Sequence, residues 1–71
     1  MTDPVYRKLD YVGTSTSTIE AAVANAVACA SAASPGEAVD WFEIIETRGA
    51  VRDGKVQQYQ VVIKVGIRCK T

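Results

Sequence analysis

Histidine is absent from this 71-residue chain, and cysteine occurs only twice, at Cys29 and Cys69. The sequence therefore has no His/Cys cluster for a metal, no Cys-x-x-Cys motif, no glycine-rich nucleotide-binding loop and no nucleophile elbow. A disulfide has little support, because Cys29 lies in a helical pattern and Cys69 stands two residues from the end. These absences argue against an enzyme and against a metal site.

An excess of charge of one sign is also lacking. Eight Lys and Arg residues balance eight Asp and Glu residues, and no basic run occurs. The clustered positive charge that binding to nucleic acid requires is therefore missing. No segment approaches the roughly 20 apolar residues that cross a bilayer, and the N-terminal stretch has no signal-peptide core. We expect no nucleic-acid partner, no membrane partner and a cytoplasmic location.

The chain is short for a protein that must bury a core. Its 71 residues, 48% of them hydrophobic and 23% charged, are typical of one globular domain over 1–71. A domain of this size buries only about 60% of the surface that its unfolded chain exposes. We therefore expect further stability to come from association with other copies of the chain.

A strand followed by a helix is predicted in the first half. Strand-forming residues over about 4–12 stop at Gly13, which indicates a turn. Ser17 stands three residues before Glu20, so the two predict a capping box and a helix over about 18–33. A Ser-Pro-Gly sequence then ends the helix. The residues at helical spacing that we expect to face the sheet are Ile19, Val23, Ala26, Val27 and Ala30.

A long hairpin is predicted in the second half, with strands over about 40–52 and 55–69. Asp53-Gly54 between them favours a type I′ turn. The pair Ile44-Ile45 interrupts the alternation of the first strand, which indicates a bulge or burial on both faces. In the second strand every other residue is apolar, from Tyr59 through Val61, Ile63, Val65 and Ile67 to Cys69. The fold class is thus α+β, a β-α-β-β protomer with a three-stranded antiparallel sheet against one helix.

Two side chains are suited to binding a planar heterocycle. Trp41 is the only tryptophan and lies beside charged residues, so its indole either stacks on a ligand or packs in a core or interface. Gln60 lies on the polar face of the last strand, and its amide can donate and accept at the edge of a ring. The alternative for Gln60 is a solvated side chain.

The charged residues of the hairpin also have two interpretations. Arg48 and Arg68 are either salt-bridge partners of Glu43 and Glu46 or binders of phosphate or carboxylate. The two glutamates could form an acid and base pair, but solvated or ion-paired carboxylates fit charged strand residues better.

Several blocks of sequence carry a resemblance to a known family. The most specific are Trp-Phe-Glu-Ile-Ile-Glu-Thr-Arg-Gly at 41–49 and Tyr-Gln-Val at 59–61. Val-Tyr-Arg-Lys at 5–8, Val-Gly-Thr-Ser at 12–15, Asp-Gly-Lys-Val at 53–56 and Lys-Val-Gly-Ile-Arg at 64–68 accompany them. At this spacing, and over nearly the whole chain, the sequence resembles the bacterial dodecins.

The resemblance implies a protomer whose sheet partly wraps its helix, and twelve protomers around a hollow interior. Dodecins bind flavins, usually as stacked pairs between tryptophans of neighbouring subunits. By position, Trp41 would stack on the isoalloxazine ring and Gln60 would hydrogen-bond its polar edge, with Arg48, Glu46 and Arg68 near the ligand. The implied function is flavin storage and suppression of flavin photochemistry, without catalysis. The implied ligand is FMN or riboflavin, with FAD and lumichrome as alternatives.

The chain departs from the family pattern in its helix. Residues 21–33 are uncharged, whereas many dodecins carry Arg or Lys there and in the following loop. The cationic groups for coenzyme A or phosphate, which some dodecins bind, are therefore few. Two further hypotheses remain open, namely a dodecin-like scaffold that binds no flavin or another small ligand such as coenzyme A, and a flavin-dependent reductase.

Overall fold

The computed structural model describes residues 3–69 and contains three strands and one helix. In chain order they are β1 (Tyr6–Ser15), α1 (Ile19–Ala33), β2 (Val39–Arg52) and β3 (Lys55–Arg68). The sheet is antiparallel with strand order β1-β3-β2, so the last strand lies in the centre. The predicted α+β fold with a three-stranded antiparallel sheet is confirmed.

The β2–β3 hairpin is long, with 14 residues in each strand. Asp53 has φ 53° and Gly54 has φ 74°, the two positive values that a type I′ turn requires. The register shifts by one residue between Ile44 and Glu46, which leaves Ile45 in a bulge. Of the two explanations predicted for the Ile44-Ile45 pair, the bulge is correct.

Strand β1 extends beyond the position at which the sequence predicts a turn. It ends at Ser15 and not at 12, because Gly13 pairs with Val61 inside the sheet. Gly13 is required here by close packing. A Cβ at this position would lie 1.9 Å from the carbonyl oxygen of Ala22 in α1. The turn predicted at Gly13 is therefore wrong, and the residue marks the place where the helix backbone crosses β1.

The helix begins one residue later than predicted. Thr18 is the N-cap, with φ −148° and ψ 162°, and its hydroxyl accepts a 2.9 Å hydrogen bond from the Ala21 amide. Ser17 instead donates its amide to the Ser15 hydroxyl at 3.0 Å. The predicted capping box of Ser17 and Glu20 is wrong, since the turn closed by Ser15 moves the cap to the next residue.

The core lies between α1 and β3. It consists of Ala22, Ala26, Ala30, Val61, Ile63, Val65 and Ile67. The alternation predicted for β3 is confirmed at its four central apolar positions. On the helix the prediction is partly wrong, because Ala22 is fully buried whereas Ile19 remains 37% exposed. The helix lies so close to the sheet that only alanine fits at the helix positions that face it. The larger side chains of the helix lie at the edge of this contact.

Strand β2 is left largely uncovered. The helix packs on β1 and β3 and touches β2 only at its margin. Every residue from 40 to 52 is exposed, and the molecule extends over 55 × 19 × 14 Å.

Cys29 is exposed and Cys69 is half-buried, both with free thiols. Within the described part of the chain, no helix has the length and apolar character that a membrane crossing requires.

Candidate functional site

The sheet surface opposite α1, which we call the open face, carries all five residues predicted for the site. Side chains alternate along β3, so the residues between the buried ones point to this face, and paired residues of adjacent strands share it. Trp41 lies opposite Gly66, and Arg48 lies opposite Gln60. The five predicted residues on the open face are Trp41, Glu46, Arg48, Gln60 and Arg68.

These five residues form two groups within one protomer. Trp41 and Arg68 lie at one end of the open face, whereas Glu46, Arg48 and Gln60 lie at the other. Gln60 lies six positions before Gly66, the residue below Trp41, along β3. At about 3.4 Å per residue this is roughly 20 Å, which exceeds the length of a fused tricyclic heterocycle. The structure therefore does not bring Trp41 and Gln60 of one chain together on one ring.

The indole of Trp41 lies against the backbone of β3. A Cβ placed on Gly66 would come within 2.0 Å of Trp41 Cε2 and 2.4 Å of Cδ2, so the fused rings cover the glycine. The ring of Tyr6 lies beside the indole, with 5.8 Å between centroids and an angle of 53° between planes. Trp41 remains 38% exposed. One face of the indole is thus held by protein, and the other is accessible to a planar ligand.

A carboxylate next to Trp41 joins both neighbouring strands. Asp40 Oδ2 accepts from Arg68 Nη2 at 2.6 Å and from Arg68 Nε at 2.9 Å. The Tyr6 hydroxyl donates to the same oxygen at 3.0 Å. The hydrogen bond with Asp40, and secondly that with Tyr6, raises the pKa of the Arg68 guanidinium above its ordinary value. Arg68 stays protonated, and its charge is compensated by Asp40.

A chain of hydrogen bonds fixes the amide of Gln60 at the other end. Arg48 Nε donates to Gln60 Oε1 at 3.0 Å, and Arg48 Nη1 donates to Glu46 at 2.9 Å. Gln60 Nε2 in turn donates to Gln58 Oε1 at 3.1 Å. A glutamine amide has two donor hydrogens and two acceptor lone pairs. One of each remains available on Gln60 for a ligand.

Comparison with known proteins places the chain in a family. A family model described as dodecin matches residues 5–70. The chain belongs to the dodecin family. It is 44% identical to the dodecin of Thermus thermophilus over 64 residues, which are 90% of each chain. The dodecin structure from Streptomyces coelicolor superposes with a TM-score of 0.88 at 39% identity, over 100% of this chain and 99% of that one. Dodecin from Streptomyces davaonensis gives 0.88 at 37% identity, over 99% and 100%.

The open face of this dodecin chain is electrically balanced. Besides the pairs at Arg48 and Arg68, Lys8 lies 3.3 Å from Glu43, and Lys64 lies 2.6 Å from Asp10. Of the two interpretations of these arginines, the structure shows the salt bridge for Arg48, which pairs with Glu46, whereas Arg68 pairs with Asp40 and not with a glutamate of β2. The register explains this, because Glu43 and Glu46 lie opposite Lys64 and Val62, four and six residues before Arg68, whereas Asp40 lies in the bulge next to Trp41. A face with compensated charges favours a polar, uncharged ring over a polyanion.

Sequence reasoning missed three residues that the structure places around Trp41 and Arg68, namely Tyr6, Asp40 and Gly66. Tyr6 and Asp40 are 34 residues apart and meet only through the shared neighbour β3. A tyrosine in a first strand gives no local signal of such a partner. Gly66 carried a weak signal, since an isolated glycine inside an alternating strand often marks close approach of another group.

Proposed function

We propose that this chain is a flavin-storage protein that acts as a homododecamer, and that flavin stacks between Trp41 side chains of neighbouring subunits. The observation that carries the proposal is the indole of Trp41, which is held on one face by Gly66 and Tyr6 and accessible on the other. Membership of the dodecin family supports the same conclusion. The proposed role is binding and protection, not catalysis.

The two ends of the open face fit the two kinds of surface that a flavin ring presents. The accessible indole face suits stacking on the conjugated ring, with dispersion and offset π contact. The remaining donor and acceptor of Gln60 suit the neighbouring C=O and N–H groups at the ring edge. Because the two ends are about 20 Å apart in one chain, one ring would contact Trp41 of one subunit and Gln60 of another. Glu46 and Arg48 would hold the amide of Gln60 in place. Arg68 would lie near the ligand, at the end of the open face that carries Trp41.

The surface of the isolated protomer supports assembly. In the part of the chain that the structure describes, ten large hydrophobic side chains are between 37% and 68% exposed, and β2 carries Phe42, Ile44, Ile45 and Val51 among them. The accessible surface is 4847 Å², against roughly 4,300 Å² expected for a compact monomer of this mass. Large exposed apolar patches mark association surfaces. Further copies of the chain would cover them.

The chemistry of storage follows from this arrangement. Stacked on a flavin ring, the electron-rich indole of Trp41 would quench the flavin's excited state by electron transfer, which would limit photochemical damage. The protein holds the side chains of Trp41 and Gln60 in fixed positions before the ligand binds, so that little side-chain entropy is lost on binding.

The decisive experiment is titration of the purified, ligand-free protein into riboflavin and into FMN. Flavin fluorescence reports binding, light scattering reports the size of the particle, and FAD and lumichrome serve as further ligands. We expect strong quenching on a dodecameric particle that saturates near one flavin per subunit. A dodecamer that leaves all four fluorescence signals unchanged would favour the alternative, a scaffold that binds no flavin; coenzyme A is then the next ligand to titrate.

A further inference from the structure

We propose that Gly66 and Tyr6 are positioning residues that set the plane of the Trp41 indole, so that only one indole face can stack on a ligand. This inference rests on the proposed function, because it concerns how the stacking surface is built. Neither residue contacts the part of the open face that holds Gln60. Their effect on flavin would therefore be transmitted through Trp41.

Gly66 forms the floor of the stacking surface. The indole lies so close to β3 that a Cβ on Gly66 would come within 2.0 Å of Cε2, 2.3 Å of Cζ2 and 2.4 Å of Cδ2 of Trp41. Contacts this short would force the side chain to rotate away. Gly66 has no positive φ, so its lack of a side chain is required by the indole above it and not by backbone conformation.

Tyr6 forms the wall beside the indole. Its ring is 5.8 Å from the indole at 53°, a tilted contact typical of favourable aromatic pairs. The Tyr6 hydroxyl is anchored on Asp40, the residue that precedes Trp41, and Asp40 is fixed by Arg68. The position of the phenol ring is thereby tied to the backbone next to Trp41. Floor and wall together leave the opposite indole face as the stacking surface.

The single tryptophan makes the indole plane measurable without any ligand. Trp41 is the only source of tryptophan fluorescence, so the surroundings of its indole are reported by emission excited at wavelengths that tyrosine does not absorb, and by circular dichroism in the long-wavelength tryptophan band, of the assembled, flavin-free protein. We expect Gly66→Ala to change both signals and to weaken riboflavin binding by roughly tenfold, since displacing a close-packed side chain costs on that order. The matched control is Lys64→Ala, two residues away on the same strand and face, which should change neither signal.

A double variant keeps the test valid if Gly66→Ala folds or assembles poorly. In Gly66→Ala with Trp41→Ala the added Cβ meets no indole, so stability and assembly should return to the level of Trp41→Ala alone. Thermal unfolding and light scattering give this comparison as a double-mutant cycle. Independent, additive losses in the two variants would overturn the role of Gly66.

Two substitutions of Tyr6 separate its ring from its hydroxyl. Tyr6→Phe keeps the ring contact and loses only the bond to Asp40, so we expect riboflavin affinity to fall by no more than about threefold, less than in Tyr6→Ala. Tyr6→Ala removes the wall and should alter the Trp41 spectra and weaken binding. Tyr59→Phe, on the helix side of β3, is the matched control. If Tyr6→Phe is as damaging as Tyr6→Ala, the proposed wall is wrong and the hydrogen bond is the important contact.

The two proposals fail in different ways. If the parent protein binds no flavin, the storage function fails, while the tryptophan spectra of Gly66→Ala and Tyr6→Ala still decide whether these residues set the indole plane. If flavin binds but the spectra of both assembled variants equal those of the parent protein, the positioning role is overturned and the storage function stands.

Discussion

Arg48 and Gln60 face each other across β2 and β3, and Arg48 Nε donates a 3.0 Å hydrogen bond to Gln60 Oε1. The same guanidinium donates to Glu46 at 2.9 Å. Arg48 therefore links a carboxylate to the amide that we assign to the flavin edge. We expect it to orient Gln60, because the planar guanidinium presents several donors in fixed directions.

Replacement of Arg48 should weaken flavin binding moderately. In Arg48→Ala the Gln60 carbonyl loses its donor and the amide can turn, so we expect riboflavin affinity to fall by about three- to tenfold. Arg48→Lys should not restore it, since one ammonium cannot reproduce the fork that joins Glu46 and Gln60. The measurement is a fluorescence titration, with Arg52→Ala at the hairpin end as the matched control. Equal affinities for Arg48→Ala and the control would contradict the orienting role.

Replacement of Trp41 should abolish most flavin binding while the shell stays assembled. The side chain of Trp41 lies on the open face and is not part of the core between α1 and β3, so Trp41→Ala should fold. Trp41→Phe retains an aromatic ring but a less electron-rich one, and it should bind flavin more weakly and quench it less. Fluorescence titration with light scattering tests both variants. Unchanged flavin affinity in assembled Trp41→Ala would refute the storage proposal.

Gly13→Ala should destabilise the fold itself. Its Cβ would lie 1.9 Å from the backbone oxygen of Ala22, and backbone cannot rotate aside as a side chain can. We expect a loss of at least about 1–3 kcal/mol in the free energy of unfolding, the usual cost of forcing extra atoms into a packed site. Denaturant unfolding measures it. Gly49→Ala, whose nearest contact would be the Gln58 oxygen at 2.9 Å, should cost less, and an equal or larger loss there would contradict this account.

Flavin binding should vary little between about pH 6 and 8. The chain has no histidine, the side chain that ordinarily titrates in this interval. The pKa of Arg68 is raised by Asp40 and Tyr6. A raised pKa contributes stability that is fully present below the unfolded-state pKa and is lost only as the pH rises through the folded-state pKa, and for an arginine both lie far above neutrality. Titrations of riboflavin at several pH values check this. A steep change near neutral pH would point to another titrating group at the site.

Elements that depend on local patterns follow from the amino-acid sequence alone. Alternation from Val61 to Ile67 identified the last strand and its buried face, because side chains of a strand point alternately to its two faces. Asp53-Gly54 located the hairpin turn, since both residues tolerate positive φ. The spacing of the Trp41 and Gln60 blocks was sufficient to indicate the family.

Contacts between side chains that are distant in sequence depend on how the strands and the helix pack together. Strand order β1-β3-β2 brings Tyr6 beside Arg68 and within reach of Asp40. It also separates Trp41 from Gln60 within one chain. Registers between strands are set by the packing of the whole sheet on α1, and a bulge of one residue, as at Asp40, changes which partner a carboxylate reaches. Gly13 is a further example. Position 13 has no room for a side chain because α1 crosses β1 there, and the neighbouring residues in the sequence give no sign of this.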